Sequence, residues 1–191
     1  MDRGARGRLH PLHADDAGDE LVERGLLDAD TEVRRIAATA AAIDTTISDR
    51  EALLKRAIAD QEPRVRLEAL RGWGRQLQPA SCAPVRAALK DADPHVRLQA
   101  IDQMGAGCPA AEGHAELAAI VSTLSTQPRG WHAPARALVS LARTQPGEAA
   151  KALPRFVAHP TWQVRIYAAR AAGVMGAVDP LTALMSDAAD N

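Results

Sequence analysis

The apolar positions of this chain follow a helical period, and the helical stretches come in pairs. In the stretch beginning at Pro94, with Val96 as zero and about 100° of turn per residue, apolar side chains recur at plus four, plus five and plus eight. Those positions hold Ala100, Ile101 and Met104. After Val65 they hold Ala69, Leu70 and Trp73, and after Val164 they hold Ala168, Ala169 and Ala172. A shorter apolar stretch and an acidic turn precede such a helix, as in Ala83-Pro-Val-Arg-Ala-Ala-Leu89 before Asp91. The predicted unit is a first helix, a turn and a second helix.

The unit repeats. Asp91-Ala-Asp-Pro-His-Val-Arg97-Leu-Gln-Ala100 has near-copies in Asp28-Ala-Asp-Thr-Glu-Val-Arg34-Arg-Ile-Ala37, in Asp60-Gln-Glu-Pro-Arg-Val-Arg66-Leu-Glu-Ala69 and in His159-Pro-Thr-Trp-Gln-Val-Arg165-Ile-Tyr-Ala168. The anchor valines Val33, Val65, Val96 and Val164 are separated by 32, 31 and 68 residues. The last gap accommodates a degenerate copy with Ala133 in the valine place and Pro134 in the arginine place. This period predicts an all-α fold, a right-handed α-solenoid (superhelix) of about five and a half helix-pair repeats. A flexible leader, 1–18, precedes the repeat domain, 19–191. Its units are roughly 19–45, 46–78, 79–108, 109–145 and 146–176, with a half unit 177–191. The register puts the next valine at position 192, so the chain is expected to be a piece of a longer protein.

Local chemistry agrees with this layout. Asp93 suits the N-cap of a second helix, and Pro94 the first helical position, where a missing N–H costs nothing. Gly105 and Gly107 are expected to end that helix, and Gly72 and Gly74 to lie near the close of the one before. The arginine one residue after each anchor falls inside the apolar arc, where a guanidinium is costly unless paired. Acids recur at the same period, so Arg34, Arg66, Arg97 and Arg165 are expected to form a structural ladder between neighbouring turns with Asp28, Asp60, Asp91 and Asp93. Trp131 and Trp162 lie one unit apart at helix starts and are expected to stack as neighbours over the groove between repeats.

Composition narrows the partners. The chain is 47% hydrophobic but only 3% aromatic, which suits closely packed helices rather than a β-sandwich. Acidic residues outnumber basic ones by 24 to 23, a formal charge of −1, which makes nucleic acid an unfavoured partner. Cys82 and Cys108 have no CxxC spacing and read as reduced thiols near helix ends, with neither a disulfide framework nor a zinc site. No apolar run is long enough to span a membrane, and the basic start, Met1 to Arg8, is not followed by a signal-peptide core, so a cytoplasmic location is expected. The histidines lack HExxH spacing and read as solvated turn residues. No GxSxG or Walker-type motif occurs. Neither a cofactor nor a metal is expected.

The acidic turn, the Val-Arg pair, the small residues and the closing glycine resemble the HEAT-like repeats of the phycobilisome-lyase type. The stretch Trp162-Gln-Val-Arg-Ile-Tyr-Ala-Ala-Arg-Ala-Ala172 is similar to the HEAT region of bacterial proteins that fuse such repeats to a cyclophilin-type peptidyl-prolyl isomerase. That resemblance implies a protein-interaction scaffold, non-catalytic in this chain, which binds a partner or a fused domain in cis. Its alternatives are an accessory domain of the isomerase and a HEAT-like nucleic-acid-binding or DNA glycosylase-type enzyme. The face of the second helices opposite the apolar arc should carry the contacts, with Arg71, Asp102, Arg136, Tyr167 and Arg170 as the candidate partner-binding residues.

Overall fold

A computed structural model describes residues 14–77, 81–109, 113–126 and 129–186. The described residues form eleven helices and no strand. In chain order they are α1 Ala14–Leu26, α2 Thr31–Ile43, α3 Arg50–Ile58, α4 Pro63–Gln76, α5 Ala83–Ala88, α6 Pro94–Ala106, α7 His114–Ser122, α8 His132–Thr144, α9 Pro146–Val157, α10 Trp162–Met175 and α11 Val178–Leu184. The expected leader lies outside the described residues as far as position 13, and α1 begins at Ala14.

Odd and even helices pair within each unit. The second helices then pack in succession, α2 on α4, α4 on α6, α6 on α8 and α8 on α10. First helices form the other layer, with α1 against α3, α7 against α9 and α9 against α11. The result is a helical repeat solenoid. Asp30 and Asp93 cap α2 and α6, each side chain accepting two backbone N–H groups of the first turn, and Pro63 and Pro94 open α4 and α6. The repeated apolar arc is the core. Ala69, Leu70, Trp73, Ala100, Ile101, Met104, Ala168 and Ala172 are all buried, and Ala169 is half-buried. The anchor valines Val65, Val96 and Val164 are buried too, whereas Val33 is 40% exposed. Val33 is exposed together with Leu21, Leu27, Ile36 and Ile43, all in or beside α1 and α2, the first helix pair of the stack.

Two expectations are corrected. Gly105 does not end its helix but lies inside α6, whereas Gly72 and Gly74 lie near the close of α4 as expected. A Cβ at Gly72 would come within 2.4 Å of the Ala42 Cβ, and one at Gly105 within 2.5 Å of the Ser140 Cα. Gly72 and Gly105 let neighbouring second helices touch closely, and Gly107 serves as the C-cap of α6, as Gly176 does for α10. The second correction concerns the cysteines. Cys82 and Cys108 form a disulfide with their Cα atoms 5.7 Å apart. Cys82 caps the start of α5 and Cys108 follows the end of α6. An antiparallel helix pair returns the end of its second helix to the start of its first, which brings together residues that look unrelated in sequence.

Candidate functional site

The seam between units is built by the arginine that follows each anchor. Its Nη1 donates to two carbonyls of its own turn, Asp28 and Ala29 for Arg34, Asp60 and Gln61 for Arg66, Asp91 and Ala92 for Arg97, and His159 and Pro160 for Arg165. The other edge of the guanidinium reaches forward. Arg34 donates from Nε and Nη2 to the Asp60 carboxylate, at 2.8 and 3.3 Å, and Arg66 does the same to Asp91, at 2.8 and 2.7 Å. Each of these aspartates also accepts a backbone N–H two residues on, from Glu62 and Asp93 respectively. Asp28 accepts the N–H of Asp30 in the same way, and Asp93 serves as a helix cap. The Arg66 hydrogen bond is the main reason the Asp91 carboxyl is held below the usual carboxylate range.

Arg97 differs. Among the described residues no carboxylate is in ion-pair contact with it, and the turn that follows, Ser125 to Gly130, contains no acid in the sequence. The period supplies an arginine there but not its acceptor. In the fifth unit the aspartate slot is filled by His159. This is a buried residue, 4% exposed, rather than the solvated histidine expected from its turn position. Its Nδ1 accepts the Thr161 N–H at 3.0 Å, as the aspartates do for their own turns, so Nε2 carries the proton and donates to the Ser125 carbonyl, 3.0 Å away. Aligning His159 with Asp91 in the repeat is the signal that finds it. His95, His114 and His132 are exposed, and His10 and His13 lie outside the described residues.

On the opposite face the second helices open a groove of about 730 Å³ between α6, α8 and α10. Its lining follows the helix period, at plus three, plus six and plus ten from the anchor position. Helix α6 supplies Gln99, Asp102 and Ala106, α8 supplies Arg136, Val139 and Arg143, and α10 supplies Tyr167, Arg170 and Val174. Four of the five candidate partner-binding residues, Asp102, Arg136, Tyr167 and Arg170, therefore line one cavity. Arg71 does not. It sits at the α4 edge, held 3.4 Å from the Gln99 Oε1 and 3.5 Å from Glu68. Arg143, Ala106 and Val174 were not among the candidates, and extending the plus-three, plus-six pattern by one helical turn identifies them.

Within the groove Arg136 donates to Asp102 at 2.7 Å, and Tyr167 lines the same cavity. The Arg170 guanidinium lies 5.0 Å from the centre of the Tyr167 ring. Burial pushes the Asp102 carboxyl above its ordinary range, against the pull of Arg136 and Arg143. The Tyr167 ring also meets Trp131, at 6.2 Å between ring centres. Trp131 in turn stacks on His132 at 3.8 Å, and Trp162 is 43% exposed. Among the described residues there is no ring contact between the two tryptophans, so the expected stack is replaced by a Trp131–Tyr167 contact. Equal spacing put both rings at helix starts, but it is Tyr167, one turn into α10, that meets the Trp131 ring. Among the described residues no group of three His, Cys, Asp or Glu side chains is placed to hold a metal ion, and no helix is long and apolar enough to cross a membrane.

Antiparallel helix pairs stacked through a repeated arginine seam, with one face of the second helices left open, define an α-solenoid repeat protein. Residues 50–128 match the family model for HEAT repeats, and the described helices form a HEAT-like repeat solenoid. No curated protein shows significant similarity to the chain.

Proposed function

We propose that the chain is a non-catalytic interaction module that docks a protein segment, from a partner or from a domain in cis, in the groove between α6, α8 and α10. HEAT repeats commonly mediate protein–protein interaction. The observation that carries the reading is the convergence of polar and aromatic side chains from three successive helices on one open groove. Those side chains stand on packed helices, so they are held in position before a partner arrives. Asp102 is engaged by Arg136, not by a second acid or a histidine that would equip it for proton transfer.

Panning a random peptide display library against the chain tests the proposal. Ala106→Trp fills the groove from α6, and Lys90→Trp places the same bulk beyond α5 as a control. Peptides should be enriched that bind the parent and the Lys90→Trp variant and lose binding to a folded Ala106→Trp variant. If no enriched peptide depends on the groove, the proposal is wrong.

A further inference from the structure

We infer that this groove selects acidic extended protein segments, an inference that rests on the docking role proposed above. The chain as a whole carries a charge of −1, yet three arginines, Arg136, Arg143 and Arg170, face the groove against one aspartate, Asp102. The local sign is opposite to the global one. Asp102 takes up Arg136, whereas among the described residues no carboxylate is in ion-pair contact with Arg143 or Arg170. Two guanidinium groups therefore remain to meet charge brought from outside, and their planar forks match carboxylates in two-point contact. Stacking on Tyr167 restricts Arg170, which lowers the entropy lost when a ligand fixes it.

The apolar residues of the groove specify the rest of the ligand. Val139 and Val174 line the same groove as the cations, so a segment that combines acidic and apolar side chains meets both. Neighbouring helix axes are about 8–10 Å apart, and an extended chain covers that distance in roughly three residues at about 3.4 Å each. A nucleic acid fits less well. Duplex binding needs several phosphate contacts in a row, and next along the strip Arg71 and Arg75 are already drawn to Glu68.

The test is fluorescence anisotropy with labelled decapeptides alternating glutamate and leucine, serine and leucine, or lysine and leucine, together with a single-stranded deoxyoligonucleotide. The glutamate peptide should bind about tenfold or more tighter than the other two peptides, and more weakly as salt rises. Arg143→Ala and Arg170→Ala should each weaken it about fivefold, and Asp102→Asn should tighten it. Equal binding of the serine peptide, unchanged affinity in both arginine variants, or preference for the oligonucleotide would overturn the inference. Serine or lysine peptides that bind and are lost on Ala106→Trp would overturn acidic selectivity alone. The docking role itself stands or falls by the panning result.

Discussion

Replacing Arg66 by alanine should cost this protein about 3–4 kcal/mol, and the same change at Arg97 only about 1 kcal/mol. The two arginines occupy equivalent positions in adjacent units and make the same two bonds to their own turn, Arg66 to the Asp60 and Gln61 carbonyls and Arg97 to those of Asp91 and Ala92. They differ in what lies beyond. Arg66 holds both oxygens of Asp91, and the two side chains are 14% and 12% exposed. Truncating it leaves a largely buried carboxylate with the Asp93 N–H and little else, which is the costly way to break an ion pair. Truncating Arg97 orphans two carbonyls, one of them at an exposed site that water can reach. The sequence period had assigned Arg97 an acid of its own and hence a large penalty, and the acid-free turn from Ser125 to Gly130 reverses that expectation.

Urea titrations followed by far-UV circular dichroism measure both costs, as shifts in midpoint at constant slope. The difference of about 2–3 kcal/mol isolates the inter-unit carboxylate. A cycle adding Asp91→Ala should show that its cost and that of Arg66→Ala do not sum, because the two residues act as one contact. Equal penalties at Arg66 and Arg97 would refute the reasoning, since the arginine would then serve only its own turn and the seam would not link units.

The same pair sets the acid limb of stability. The Asp91 carboxyl is held below its ordinary value, so its stabilisation is complete above the unfolded value of about 3.9 and is lost as pH falls through the folded value. Arg66→Ala should therefore flatten the fall in urea midpoint below about pH 4, and an unchanged limb would contradict it. Joining Cys82 to Cys108, 26 positions apart, should stabilise by about 3.5 kcal/mol on a loop-closure basis. A thiol titration of the oxidised chain should find no free cysteine, and reduction should lower the urea midpoint; two free thiols would count against the bond. Gly105→Ala should destabilise by about 1–3 kcal/mol because the new methyl group meets the Ser140 backbone. Gly173→Ala, with open space around it in the last turn of α10, should stabilise by up to about 1 kcal/mol in thermal melts. Matching signs for the two would refute the close-approach reading.

Helix pairing, caps and core were legible because they depend on local period. The wheel that sorted Ala100, Ile101 and Met104 to one side follows from 3.6 residues per turn, and Asp93 and Pro94 act within their own turn. What the period could not supply was anything decided by distance across units. The contact of Gly105 with Ser140, the pairing of Cys82 with Cys108 and the preference of Trp131 for Tyr167 over Trp162 each depend on how far one helix is set from the next. The groove was half legible. Asp102, Arg136, Tyr167 and Arg170 share a face by periodicity alone, but their closure around one cavity, and the part played by Arg143, needed the helices in place.

The fourth unit joins these observations. Its Pro134 stands where the other units carry the seam arginine, and its turn brings no acid for Arg97. The polar seam is thus interrupted on both sides of α8, and His159 in the next unit bonds the Ser125 carbonyl in place of a guanidinium. Backbone proximity holds α8 instead, with Gly105 against Ser140 and the Ser140 hydroxyl donating to the Ile101 carbonyl at 2.8 Å. A helix drawn in so closely on α6 brings Arg136 within reach of Asp102, the bond that crosses the groove floor. The groove thus lies beside the unit that lacks the repeat motif. Widening the α6–α8 contact through Gly105 should disturb the groove as well as the stability of the stack.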